Sequence, residues 1–176
     1  MAVREAPRLE TSRLVLRPFT ASDVDAQAAM MGDDVVMHHL GGKALSREEA
    51  WRKLLGGHAF WSLLGYGYWA VERRSDGAMI GQLGFADFKR ALVPNIETLP
   101  EMGWLFARSA FGQGYATEAG LAALAWADEA LQAPEIVAII DAKNTPSIRV
   151  AEKCGFKENE PATYRGEPIL LFRRKG

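Results

Sequence analysis

From Leu9 to Phe19 apolar and polar residues alternate, with Leu14 and Leu16 on one side of the pattern, which predicts a strand. Pro18 and the run Thr20-Ala21-Ser22-Asp23 then mark a turn into a short helix through about Met31. A second helix begins at Ser46, a good N-cap with Glu49 placed to complete a capping box. Trp51, Leu54, Leu55, His58 and Trp61 follow at helical spacing, although Gly56 and Gly57 weaken its middle. Tyr68 to Arg73 and Met79 to Phe88 read as two strands joined across Ser75-Asp76-Gly77, where Asp and Gly tolerate the positive φ of a hairpin turn.

Pro94 interrupts Leu92 to Thr98, a loop, and Glu101 to Ala107 is a further strand. After Gly112-Gln113-Gly114 an alanine-rich helix runs from about Tyr115 to Leu131, with Ala116, Gly120, Ala123 and Ala127 on one face suited to close packing. Ile136 to Ile140 is an apolar run of the kind found in buried strands. A short helix from about Pro146 to Lys153 stops at the C-cap glycine Gly155, and two final strands flank Tyr164-Arg165-Gly166-Glu167. The order is strand, two helices, three strands, helix, strand, helix and two strands, which is an α/β arrangement of mixed sheet and packed helices.

Length and composition narrow the function classes. The chain has 176 residues, 48% of them hydrophobic, and roughly 150 residues per domain makes one domain the default. Lys and Arg number 21 against 22 Asp and Glu, and the short basic cluster Arg173-Arg174-Lys175 reads as a solvated tail, so no nucleic-acid partner is expected. The single cysteine, Cys154, excludes an internal disulfide and fits a reducing compartment. Met1 to Glu5 carry no apolar run and elsewhere the apolar stretches are too short to span a bilayer, so a cytoplasmic protein without a membrane partner is expected. His38 and His39 have no companion at metal-ligand spacing, and no metal is expected.

The chemistry is concentrated at Phe111-Gly112-Gln113-Gly114-Tyr115-Ala116. A strand, then Gly-x-Gly, then a helix builds an anion site from backbone alone, because the glycines allow close approach and the first helical turn offers free N–H groups and a favourable dipole. The same pattern also occurs as a simple tight turn. No Walker-type Gly-Lys-Ser/Thr is present, and the third glycine of a dinucleotide-binding fingerprint is missing.

Phe111 to Ala119 resembles the pyrophosphate-binding loop of the GNAT N-acetyltransferase superfamily. Asn144-Thr145-Pro146-Ser147 followed by Glu152-Lys153-Cys154-Gly155-Phe156 is similar to the Asn-x-x-Ser…Glu-Lys-x-Gly-Phe segment of its branch containing ribosomal-protein alanine acetyltransferases. Leu9 to Pro18 looks like that branch's first strand, and Phe111, where the superfamily commonly has Gln or Arg, points to the same branch. The resemblance covers about residues 9–172 and implies one N-acetyltransferase domain over 1–176. It implies a single-domain α/β fold with a mixed, mostly antiparallel sheet, helices on both faces and a splayed central strand pair.

The resemblance further implies acetyl-CoA as cofactor. Its diphosphate would lie on Phe111, Gly112, Gln113, Gly114, Tyr115, Ala116 and Thr117, and its pantetheine arm would pair with the backbone of Phe106 in the Glu101–Ala107 strand. Asn144 matches a cofactor-contacting position, with an Asx turn before Pro146 as the other reading. Lys153 is within the matching segment and reads either as a phosphate contact or as a solvated helix-end lysine.

Acetyl transfer needs a neutral amine, and a carboxylate serves that need directly or through water. Glu101, just ahead of Gly103-Trp104, matches the family's glutamate, with Glu97 and Asp87 less favoured. The thioester carbonyl would be polarised by a backbone N–H of the splayed strand. The tyrosine that many members use as acid is replaced by Ala151, and Ser147 matches the serine given that role in the ribosomal-protein branch, although serine is common in a first helical turn. Trp51, Phe60, Trp61, Tyr66, Tyr68 and Trp69 read as core, some of them bordering the acceptor site. Cys154 reads as a buried structural thiol. The acceptor is a primary amine of open identity, the assembly a monomer or homodimer, and a non-catalytic acyl-CoA-binding module or a nucleotide-binding domain are the rival readings.

Overall fold

In the computed structural model, which describes residues 5–176, the first alternating segment forms two strands, β1 (Leu9–Glu10) and β2 (Leu14–Arg17), instead of one. Met1 to Arg4, on which most of the polar start rests, lie outside the described residues. The break is a tight turn closed by the Thr11 N–H on the Leu14 carbonyl (3.0 Å) and the Leu14 N–H on Thr11 Oγ1 (2.9 Å). Alternation continues across such a turn, so periodicity alone does not reveal it.

Helix α1 (Val24–Met31) is followed by a short helix the sequence pattern did not predict, α2 (Asp34–Met37), capped by Asp33 accepting from the Val35 and Val36 N–H groups. Helix α3 (Arg47–Leu64) has the capping box expected of Ser46 and Glu49 and ends at Gly65 in the left-handed region (φ 80°). Then come β3 (Tyr68–Arg73), β4 (Met79–Ala86), β5 (Glu101–Phe106), α4 (Tyr115–Ala130), β6 (Glu135–Asp141), α5 (Thr145–Lys153), β7 (Glu158–Tyr164) and β8 (Glu167–Lys175). The eight strands make one sheet in the order β1-β2-β3-β4-β5-β6-β8-β7, with β5 and β6 its parallel pair. Among the described residues no helix is long and apolar enough to cross a membrane.

Side-chain alternation gives the sheet two buried faces. On β5, Met102 and Phe106 pack with Ala119, Ala123 and Ala127 of α4 and with Ala151 of α5. Leu105 turns the other way, to Met30, Met31, Val36, Met37 and Ala50 from α1, α2 and α3. Close packing of α4 depends on Gly120, where a Cβ would lie 2.7 Å from Cys154 Sγ and 3.2 Å from Met102 Cε. The segment 87–100 lays Leu92 and Ile96 over Val137, Ile169 and Leu171 on the α1–α3 face. These packings hold the two strands that border the candidate site.

Candidate active site

Strands β5 and β6 run parallel but touch at one register pair, Glu101 with Val137, where the Val137 N–H donates to the Pro100 carbonyl at 3.0 Å. Beyond that rung they part. The Ala107 N–H donates to Ile80 on β4 (2.8 Å), so residues 101, 103 and 105 also turn their backbone polar groups toward β4. Trp104 and Phe106 therefore turn theirs toward β6, into the gap, where no strand among the described residues meets them. Backbone N–H and C=O groups demand partners when sheltered from water, so this edge suits an extended, amide-bearing molecule.

At the open end of the gap stands the glycine turn. Gly112 (φ 71°) and Gly114 (φ 79°) occupy the left-handed region, and Gly114 is the N-cap of α4 with no side chain capping the first turn. The leading N–H groups of Tyr115, Ala116 and Thr117 are thus left for an external acceptor. Phe111, Gly112, Gln113 and Gly114 are exposed, and the Gln113 amide donates to the Ser109 carbonyl (2.8 Å) and so stiffens the turn.

A brace unseen in the sequence pattern fixes this turn. Glu118 on α4 accepts from Thr11 Oγ1 (2.6 Å), from the Arg13 N–H (3.0 Å) and, on its other oxygen, from Arg13 Nε (2.6 Å). Arg13 also donates to the Gln113 carbonyl (2.9 Å) and lies over the Tyr115 ring. Desolvation disfavours the Glu118 carboxylate, but the bonds from Thr11 and Arg13 outweigh it and hold the carboxyl below its ordinary range. The first β-turn and the glycine turn, about a hundred residues apart, are one unit.

On the α1–α3 face the main feature is Glu101, 5% exposed, whose two oxygens are bound by one guanidinium: Arg90 Nε at 2.7 Å and Nη2 at 2.9 Å. Arg90 is itself held between the rings of Phe88 and Tyr164. A carboxylate has about four lone-pair sites, so this fork leaves Glu101 able to accept further protons' hydrogen bonds. Asp87 is occupied otherwise: Lys89 Nζ (2.5 Å) and the Thr98 N–H (3.0 Å) bind it and, against desolvation, hold its carboxyl below the ordinary range. Glu97 is exposed. Of the aromatic-rich segment, Trp61 and Trp69 join Trp126 in an edge-to-face core cluster, while Phe60 meets Phe88 edge-on beside Arg90.

At the end of β6, Asn144 caps α5, its Oδ1 accepting from the Ser147 N–H at 3.2 Å, and its amide NH₂ has no partner among the described residues. Ser147 is half-buried, and its hydroxyl makes no hydrogen bond among the described residues. Ala151 is fully buried against the core, and Lys153 is exposed in the last turn of α5. Burial pushes the Cys154 thiol up to about 11. His39 Nδ1 lies 2.5 Å from Asp141 Oδ2, joining the end of α2 to the last residue of β6, and His38 packs edge-on against His39. This pairing spans 102 positions and carried no sequence signal.

The arrangement thus joins unpaired backbone on Trp104 and Phe106 to a bare helix start, the combination that an amide-bearing arm ending in a diphosphate would fill. It fits the coenzyme implied by the motifs. Residues 13–157 match the family described as Acetyltransferase (GNAT) domain. A putative GNAT-family acetyltransferase from Bordetella pertussis is 31% identical and superposes with a TM-score of 0.83, covering 96% of this chain and 99% of that one. The Bacillus subtilis protein YkkB is 36% identical over 113 residues, a match spanning 63% of each chain. An aminoglycoside acetyltransferase solved with coenzyme A has the same fold (TM-score 0.75, 15% identity, 92% of this chain and 94% of that one).

Proposed function

Because the chain belongs to the GNAT acetyltransferase family, we propose that it is an acetyl-CoA-dependent N-acetyltransferase that acts on a primary amine. The observation that carries this reading is the splay, which leaves the backbone of Trp104 and Phe106 unpaired beside the uncapped start of α4. When bound, the cofactor supplies the acetyl group as an activated thioester. Trp104 and Phe106 hold its amide arm through backbone bonds, and the N–H groups from Gly112 to Thr117 hold its diphosphate. The free amide NH₂ of Asn144 contacts the arm, and Lys153 adds positive charge near the phosphates. The acceptor approaches from the opposite, α1–α3 face.

Glu101, fixed by Arg90, takes the amine's proton through a water on its remaining lone pairs. Ser147 Oγ, uncommitted at the start of α5, provides a proton on the sulfur side. Phe111 and the Asn144…Ser147 segment support a reading within the ribosomal-protein branch, and the lone buried Cys154 suits a cytoplasmic setting. The test is acetyl-CoA binding by calorimetry together with coenzyme A thiol release across peptide and small-molecule amines. Thiol release with at least one amine is expected. Ala151 in the tyrosine's place and the engaged oxygens of Glu101 favour a second reading, a non-catalytic acyl-CoA-binding module; binding without thiol release across the panel would establish it.

A further inference from the structure

We propose that the Tyr68 hydroxyl is a catalytic hydrogen-bond donor which, with the Trp104 backbone N–H, holds the negative charge that develops on the acyl oxygen in the cleft. This rests on the acetyl-transfer reading above. Its basis is one row of the sheet. Tyr68 on β3 is in register with Gly84 on β4, and Gly84 with Gly103 on β5. Residues in one row point to the same face, and the two glycines leave a trough there. A Cβ at Gly84 would lie 2.4 Å from Tyr68 Cα, and one at Gly103 would lie 2.2 Å from Tyr68 Oη and 3.3 Å from Cζ. The phenol therefore crosses β4 and ends over the middle of β5, the strand that borders the gap.

Tyr68 is half-buried, and its hydroxyl makes no hydrogen bond among the described residues, so its proton is free for a molecule in the cleft. The peptide that follows Gly103 carries the Trp104 N–H, directed into the gap. One donor thus lies in the plane of the sheet and the other comes from its face, against the residue that precedes Trp104. Burial, and after it the Glu101 carboxylate, push the phenol above its ordinary range, so Tyr68 keeps its proton and acts as a donor, not a base. As the amine nitrogen bonds to the acyl carbon, these donors hold the electron pair displaced onto oxygen. The pair returns when the C–S bond breaks, sulfur keeps the bonding electrons, and the amine's surplus proton leaves to the water at Glu101. Preorganised donors of this kind act without giving up their protons.

The test is Tyr68→Phe, which keeps the ring in its trough, read on the carbonyl stretch of ¹³C-labelled acetyl-CoA in the binary complex. The wild-type protein should lower the stretch relative to Tyr68→Phe at similar acetyl-CoA affinity, and kcat should fall on the order of 10². Gly103→Ala, whose Cβ displaces the hydroxyl, should give the same upward shift. An identical stretch in wild type and both variants with acetyl-CoA bound overturns the role of Tyr68 and leaves the cofactor reading intact. Absence of acetyl-CoA binding to the wild type overturns both.

Discussion

The two walls of the cleft are made of different material. The glycine-turn wall is backbone: Gly112, Gly114 and the first N–H groups of α4, drawn from consecutive residues and braced from behind by Glu118 and Arg13. The α1–α3 wall is side chain: Glu101 in its guanidinium fork, Tyr68 in its glycine trough and His39 on Asp141, each set by how separate segments fold together. The difference separates tasks. A wall of amides recognises charge and tolerates changes of side chain, whereas a wall of fixed side chains sets proton positions and tolerates almost none.

That contrast breaks most sharply at Glu101. Glu101→Gln should lower kcat on the order of 10²–10⁴ with little change in acetyl-CoA affinity, measured by steady-state kinetics beside calorimetry. An unchanged kcat would remove Glu101 from the proton path and make its pair with Arg90 purely structural. On the other wall, Gly114→Ala places a Cβ in a left-handed residue at a cost of about 1–2 kcal/mol. Its expected effect is a rise in acetyl-CoA Kd on the order of tenfold, with kcat at saturation near that of the wild type. A loss confined to kcat would show that the backbone wall does more than bind.

A smaller effect probes the brace. Because the folded Glu118 carboxyl is held below its ordinary value of 4.5, its contribution is complete above that value and is lost as pH falls through the folded one. The wild-type melting temperature should therefore drop more steeply below about pH 4.5 than that of Glu118→Gln. Equal slopes would mean that the brace carries no stability. The smallest expected signal is at Cys154: with its thiol pushed up to about 11, the native protein should resist alkylation at neutral pH and react once unfolded. Rapid labelling of the folded protein would show that the α4–α5 seam opens.

The two walls are unequally legible in the sequence for the same reason. The glycine turn and the Ser46 capping box are short, contiguous and mechanistically constrained, and each stands where its pattern placed it. The alternation from Leu9 to Phe19 was legible as strand, but the turn within it answers to Glu118, more than a hundred residues later. Tyr68 was visible as one of several aromatics. Its reach depends on the registers that align Gly84 and Gly103 with it, and single-chain periodicity carries no register between strands. Arg90 lies in a segment that reads only as loop, and its fork on Glu101 follows from how that segment folds back over β6 and β8.

The single rung between Glu101 and Val137 has a mechanical consequence. In its backbone ladder the sheet is two plates, β1 to β5 and β6 to β8, joined at one corner, although Ala138 and Phe172 of the second share a core with Leu83 and Met102 of the first. A guest that bonds to Trp104 and Phe106 would behave as a ninth strand, and it would stabilise the folded sheet by an amount that grows with the logarithm of its concentration above Kd. Slowed exchange of the Trp104 and Phe106 amides on adding acetyl-CoA would be the direct signature of that pairing.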